Sequence, residues 1–295
     1  MIFKKVLFHT HFRELALNSL KSMMALKTVG LETIVLTHII PRDEVSFVPY
    51  SGYHKQAEQQ FKADARIRFE DWQGLLAEHG IESRIRIEVG APNAEILAIA
   101  EQENVDLIVV GRKKRTLLEK VYVGAHIMDI LRRSKVPVLM SKYMVQFEWQ
   151  GEQLSRTNDQ IFKRPLLATD WSQPSENALL SMDALKGLAE KVHVVHVIDA
   201  KLTKGMDSEQ RVQLETESKS RLRKYCQQIE KLGMRAELHL SSGKTVPQLL
   251  QLSRDHQATM IVMGKTGKDW FQEYWLGGVS HQVAELSELP VLLLS

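Results

Sequence analysis

At 295 residues the chain has room for about two domains, and 44% hydrophobic with 25% charged residues excludes a disordered chain. A net charge of +3 argues against a dedicated nucleic-acid binder, which shows a larger, clustered basic excess. The one cysteine, Cys226, excludes an intrachain disulfide and fits a reducing compartment.

The first residues, Met1-Ile2-Phe3-Lys4-Lys5-Val6-Leu7-Phe8, read as a strand that starts at once. They lack the long apolar stretch and small-residue cleavage site of a signal peptide. No later apolar run approaches the roughly 18 residues that span a bilayer, so a cytoplasmic protein without membrane contact is expected. Residues 81–89 read as a third strand, 105–110 as an apolar strand ending at Gly111, and 136–140 as a last strand. Residues 142–163 are rich in polar side chains and read as a connection. After it, 165–169 is a short apolar strand and Ser175 the N-cap of a helix reaching about 189. Then come a strand at 192–198, a long polar-rich helix at 207–232 and a period-two strand at 234–240. A helix at 246–256, a buried strand at 260–263, a helix at 278–287 and a strand at 291–294 complete the chain.

The two halves repeat one another. Val105-Asp106-Leu107-Ile108-Val109-Val110-Gly111 matches Ala258-Thr259-Met260-Ile261-Val262-Met263-Gly264, 153 residues on. The same offset of 153 carries Gly90 to Gly243, Gly124 to Gly277 and Pro137 to Pro290. Leu36-Thr37-His38-Ile39-Ile40 matches Val195-His196-Val197-Ile198 at a slightly larger offset, so an insertion or deletion lies between. A period this long is a duplicated domain rather than a solenoid repeat. Strands alternating with helices imply an α/β fold, a doubly wound parallel sheet in each half. The expected division is a first domain at 1–142, a linker at 143–162 and a second domain at 163–295. The third strands carry Arg84, Arg86, Glu88, Arg235 and Glu237, as exposed edges do, whereas the last strands are wholly apolar. The halves are therefore expected to pack through their last strands as an internal pseudo-dimer. Further pairing of chains, as a homodimer, is left open.

In open α/β sheets ligands bind beyond the carboxyl ends of the strands, where strand order reverses. Asp170 ends the first strand of the second half, and Gly264-Lys265-Thr266-Gly267 follows its fourth. After nine more residues, Gly277-Gly278-Val279-Ser280 opens a helix. Glycines permit close backbone approach, and free N–H groups at a helix start attract anions. An aspartate accepts hydrogen bonds from ribose hydroxyls, so the set suits a nucleotide.

This spacing resembles the ATP-binding motif of the universal stress protein family. Leu166-Leu167-Ala168-Thr169-Asp170-Trp171-Ser172 resembles that family's opening strand and Asp-x-Ser turn, and Pro137-Val138-Leu139 and Pro290-Val291-Leu292 its closing strand. The resemblance covers both halves, as in a tandem member, and implies five-stranded parallel sheets in the order 3-2-1-4-5. It implies Asp170 beside the ribose and the backbone of Val197 at adenine. Gly264, Gly267, Gly277, Gly278, Val279 and Ser280 would hold ribose and phosphates. The implied ligand is ATP, or AMP or ADP, with Mg²⁺ alongside. Two departures stand out. Gly278 replaces the Ser or Thr usual in the family. In the first half Lys114 replaces the second glycine, Ala125, His126 and Ile127 replace the hydroxyl, Val and Ser positions, and Thr10 is matched to Asp170. The first site is therefore not expected to bind ATP in the family manner.

Other features have plainer readings. Arg112-Lys113-Lys114-Arg115 is a solvated loop or a site for an anion, and Gly243-Lys244-Thr245 lacks the earlier glycine of a P-loop. His193 and His196 are three apart on a strand and point to opposite faces. His9 and His11 share a face, but no carboxylate or thiol pattern supports a metal there, so no metal site is expected. Trp270, Phe271, Tyr274 and Trp275 crowd one loop as internal packing, a dimer contact or a patch for an unidentified protein partner. No nucleophile–base pair is visible. The expected function is nucleotide-sensitive binding or signalling in a stress response, with a weak ATPase or a scaffold that binds no ATP as alternatives.

Overall fold

A computed structural model of the chain describes residues 2–13, 15–46, 55–111, 125–142, 144–149, 152–265 and 278–295. Apolar runs become the inner strands, because a parallel strand covered on both faces needs no polar side. The first unit holds β1 (Lys5–His9), β2 (Thr33–Pro41), β3 (Glu82–Gly90), β4 (Leu107–Gly111) and β5 (Val138–Ser141), all paired parallel in the order β3-β2-β1-β4-β5. Its helices are α1 (Ala16–Met24), the short α2 (Arg42–Ser46), α3 (Lys55–Glu78), α4 (Pro92–Gln102) and α5 (Ala125–Arg133). A 3-10 turn at Ala25–Val29 continues α1 and stops at Gly30, whose φ of +107° only glycine adopts readily.

The polar stretch read as a connection holds an antiparallel pair, β6 (Met144–Trp149) and β7 (Glu152–Thr157), with Phe147 opposite Leu154.

The rest of the second unit repeats the first. It comprises β8 (Pro165–Ala168), α6 (Gln173–Leu180), β9 (Lys191–Asp199), α7 (Ser208–Lys231), β10 (Arg235–Gly243), α8 (Thr245–Asp255), β11 (Met260–Gly264), α9 (Gly278–Leu286) and β12 (Val291–Leu294). The parallel order β10-β9-β8-β11-β12 is again third, second, first, fourth, fifth. The residues of β8, β11 and β12 are buried throughout, whereas β10 is partly exposed, with Arg235, Glu237 and Ser242 in water, as an edge strand should be. A capping box starts α7: the Asp207 carboxylate accepts from the Gln210 N–H at 2.8 Å, and the Gln210 side chain accepts from the Asp207 N–H. Where the periodic segment from Ser175 to about 189 reads as one helix, α6 ends at Leu180 and a 3-10 turn, Ser181–Leu185, follows.

Candidate functional site

The site is built around the turn after β8. Ala168 is the last β8 residue paired with β9, opposite Val195, while β9 continues to Asp199. The Thr169 N–H donates to the Val195 carbonyl, so the backbone groups of Val195 point toward β8. Those of Val197, two residues on, point the same way, into the space where β8 has ended. Val197 itself is buried.

The turn is tightly specified. Oδ1 of Asp170 accepts from the Ser172 N–H at 3.0 Å and from the Ser172 hydroxyl at 2.5 Å, while Oδ2 takes part in neither bond. Ser172, not Ser175, is the N-cap of α6, and its hydroxyl oxygen accepts from the Ser175 N–H. Pro174 in the first turn is the signal for this earlier start, since proline suits positions whose N–H has no helical partner. Between them Trp171 sits at φ +66°, a left-handed conformation worth about 1–3 kcal/mol of strain for a bulky residue. It is held by a tilted contact with His196 at 4.7 Å, the edge of Tyr225 at 5.3 Å and the Arg221 guanidinium at 5.8 Å. His196 donates from Nδ1 to the Thr169 carbonyl at 2.7 Å, and Tyr225 donates to Glu176 at 2.5 Å. Burial, then the Glu176 bond, pushes the Tyr225 phenol well above its ordinary range.

Gly264 ends β11 against this turn. A Cβ there would lie 2.6 Å from the Pro174 Cβ and 2.9 Å from the Ser175 nitrogen, so a hydrogen is all the space admits. Lys265 follows, 5% exposed, its N–H donating to the Leu294 carbonyl at 2.7 Å. Burial lowers its amine to about 8, which leaves it mostly cationic at neutral pH. The Ser280 hydroxyl donates to the Lys265 carbonyl and fastens the start of α9 to the end of β11. Gly278 and Val279 are exposed at that helix start, where backbone N–H groups have no helical acceptor. One line of contacts thus joins Asp170, Ser172, Pro174, Gly264, Lys265 and Ser280. Gly267 and Gly277 lie outside the described residues, as do Arg112 to Arg115, Thr266 and the four aromatics from Trp270 to Trp275. Lys265 and Trp171 were not singled out from sequence, because burial of a lysine and a left-handed tryptophan have no pattern in one dimension.

The first unit copies the turn and changes its chemistry. Phe12 adopts φ +52° and packs on His38 at 4.9 Å, on Trp72 at 5.5 Å and under the Arg68 guanidinium at 5.3 Å. His38 Nδ1 donates to the Thr10 carbonyl at 2.8 Å as His196 does to that of Thr169, and the Thr10 N–H meets the Thr37 carbonyl. Thr10 is therefore the counterpart of Thr169, and His11, not Thr10, stands where Asp170 stands. The sequence match slipped by one residue because the gap between the repeats falls nearby. His11 meets the edge of His9 at 4.7 Å. His9 is buried, and burial first, then His11 and His38, holds it well below the usual imidazole range. A Cβ on Gly111, the counterpart of Gly264, meets nothing within 4 Å.

A family model described as the universal stress protein family matches residues 3–142 and 162–295. Universal stress protein MJ0577 of Methanocaldococcus jannaschii is 30% identical over 156 residues, 48% of this chain and 96% of that protein. Universal stress protein MJ0531 of the same organism is 25% identical over 144 residues, 47% of this chain and 85% of that protein. The crystal structure of a universal stress protein from Archaeoglobus fulgidus covers 100% of this chain and 99% of its own at a TM-score of 0.71 and 21% identity, a likeness of fold.

Proposed function

The chain belongs to the universal stress protein family, in tandem form, and from that premise we propose that its second unit binds one adenine nucleotide at the carboxyl end of β8 and β11. The observation that carries the reading is the line of contacts from Asp170 to Ser280, which brings the carboxylate turn after β8, the end of β11 and the start of α9 together. Asp170 Oδ2 accepts from ribose hydroxyls while Oδ1 keeps the turn. The Val197 backbone offers adenine one donor and one acceptor on the side vacated by β8. Gly264 lets the chain run close, and Gly267 and Gly277 belong to the same motif by their spacing in the sequence. The N–H groups at Gly278, Val279 and Ser280 favour phosphate. Ser280 gives its proton to Lys265, so its part is through the backbone and through the strand–helix tie. ATP, ADP and AMP share the adenosine contacts, and Mg²⁺ enters with the triphosphate.

The first unit, with His11 in place of the carboxylate and Lys114 in place of a loop glycine, does not bind nucleotide in this manner. The role we assign is nucleotide-sensitive binding to a protein partner during stress in the cytoplasm. Among the described residues no helix is long and apolar enough to cross a membrane. Calorimetry of the full chain with ATP and Mg²⁺ tests the reading. One equivalent is expected, and Asp170→Asn, which keeps an acceptor for Ser172, weakens binding roughly ten- to a hundredfold, the worth of a hydrogen bond to a charged group. Absence of binding at millimolar ATP overturns the site, and two equivalents overturn its restriction to the second unit.

A further inference from the structure

Glu237 on β10 pairs in register with His193 on β9, and His239, two residues along, falls on the same face because strand side chains alternate. The helix α8 packs on both strands, and its C-cap is His256. Four ligating groups from three elements converge there. His193 Nδ1 lies 3.0 Å from His239 Nε2, and Glu237 Oε2 lies 3.4 Å from the former and 3.5 Å from the latter. The His256 ring stacks on His193 with centroids 5.1 Å apart and approaches that of His239 to 3.9 Å. One donor atom from each of the four lies within 4.8 Å of all the others.

We propose that His193, Glu237, His239 and His256 bind a borderline transition-metal dication, with Zn²⁺ the reference ion. Tetrahedral Zn²⁺ with bonds of about 2.0–2.2 Å holds its donor atoms roughly 3.3–3.5 Å apart. The three separations among His193, His239 and Glu237, 3.0, 3.4 and 3.5 Å, already trace one face of such a tetrahedron. His256, at the end of a helix, closes the fourth corner by a side-chain turn. Three imidazoles and one carboxylate do not suit Ca²⁺ or Mg²⁺, which take oxygen ligands, but do suit Zn²⁺, Cu²⁺ or Ni²⁺. Lys191 is the competitor, its Nζ 2.6 Å from Glu237 Oε2. Its side chain is 37% exposed, so it can swing into water as the metal takes the carboxylate.

The duplication supplies a comparison within the chain. Counting back 153 residues, Glu237, His239 and His256 fall on Arg84, Arg86 and Glu103, and Val35 faces Arg84 as His193 faces Glu237. There Arg84 and Arg86 each pair with Glu103 at 3.1 Å and clamp the edge strand to the C-cap of α4. In the second unit imidazoles hold two of those three places. Stacked imidazoles supply no such ion pair, and a single cation restores the clamp. His193 is 2% exposed, and its Nε2 is buried without a hydrogen-bond partner among the described residues. Its other nitrogen, Nδ1, faces both His239 and Glu237, and that is the atom offered to the metal. The cluster lies four residues, about 13 Å, before Val197 along β9, toward the opposite end of the sheet from the nucleotide crevice.

The test uses the full chain without nucleotide. After chelator treatment it is titrated with Zn²⁺ by calorimetry and with Co²⁺ by visible absorption. One Zn²⁺ per chain and the intense absorption of tetrahedral Co²⁺ are expected. His239→Ala and His256→Ala, each confirmed folded by circular dichroism, weaken Zn²⁺ at least ten- to a hundredfold, since even changes outside the ligand shell have that effect. His79→Ala, in the first unit, leaves affinity unchanged. Absence of Zn²⁺ binding by the folded chain, a weak octahedral Co²⁺ spectrum, or undiminished affinity in both folded variants overturns the proposal.

Discussion

Gly264 and Gly111 hold equivalent places in the repeat, yet an added methyl group should act on them with opposite sign. In Gly264→Ala the new Cβ meets the Pro174 Cβ at 2.6 Å, the Pro174 carbonyl carbon at 2.8 Å and the Ser175 nitrogen at 2.9 Å. Carbon atoms settle about 3.5–4.0 Å apart, so α6 must retreat by about 1 Å. Two of the three atoms are backbone, and they belong to the first turn of a helix whose cap also positions Asp170. Overpacking of this kind costs about 1–3 kcal/mol, or a Tm lower by about 2–12 °C for a unit of this size. Gly111→Ala meets nothing within 4 Å and needs no left-handed backbone. It removes freedom only from the unfolded chain and gains about 0.4–1 kcal/mol. Hydrogen exchange read by mass spectrometry across a urea series reports each unit separately. Protection lost in α6 and β11 of the first variant and gained around β4 of the second is the expected result. Equal effects at both positions, or a neutral Gly264→Ala, would refute the close approach on which the crevice depends.

Gly278→Ser restores the hydroxyl usual in the family at a position with nothing within 4 Å, so it fits without strain. Calorimetry should show ATP affinity raised roughly ten- to a hundredfold with unfolding unchanged. Burial first, then His239 and His256, holds His193 at about 4, and His9 is likewise lowered by burial. The unfolded chain therefore takes up protons first, from about 6.5 downward, so chelated protein is stable above that pH and loses stability as pH falls toward 4. Urea midpoints measured across that window should fall, and His9→Asn, whose amide does not titrate there, should flatten part of the slope.

Much of the architecture was legible because burial writes itself into composition. The apolar runs ending at Gly111 and Gly264 could only be inner strands, and Gly233 marked the end of a long helix whose Asp207 start was also visible. The misreadings share a cause. Ser172 and Ser175 are both acceptable caps, and Pro174 in the first turn together with the Asp170 bonds selects Ser172. Thr10 and His11 compete for one place, and the bonds of Thr10 with His38 and Thr37 fix the register. The polar composition of 142–163 hid the β6–β7 pair, since a two-stranded ribbon needs no apolar run. At the site, Asp170 and the glycines were readable as a spacing, but the burial of Lys265 comes from the packing of β11 and β12. His193, His239 and His256 are separated by 46 and 17 residues, and the pairing of β9 with β10 and the packing of α8 on both make them neighbours.

The left-handed turn carries a wider consequence. It occurs twice, as Phe12 and as Trp171, each braced by a histidine, an aromatic ring and an arginine. What the two copies share is a dihedral angle, a threonine two residues before it and a histidine bonded to that threonine's carbonyl. The residue just before that angle is His11 in one copy, whose ring meets those of His9 and His38 edge-on, and Asp170 in the other, whose Oδ1 accepts from Ser172. The turn is thus a shared mount whose left-handed angle is kept while the residue before it differs. Duplicated chains built on such a mount can change what one crevice recognises while the scaffold of the other stands untouched.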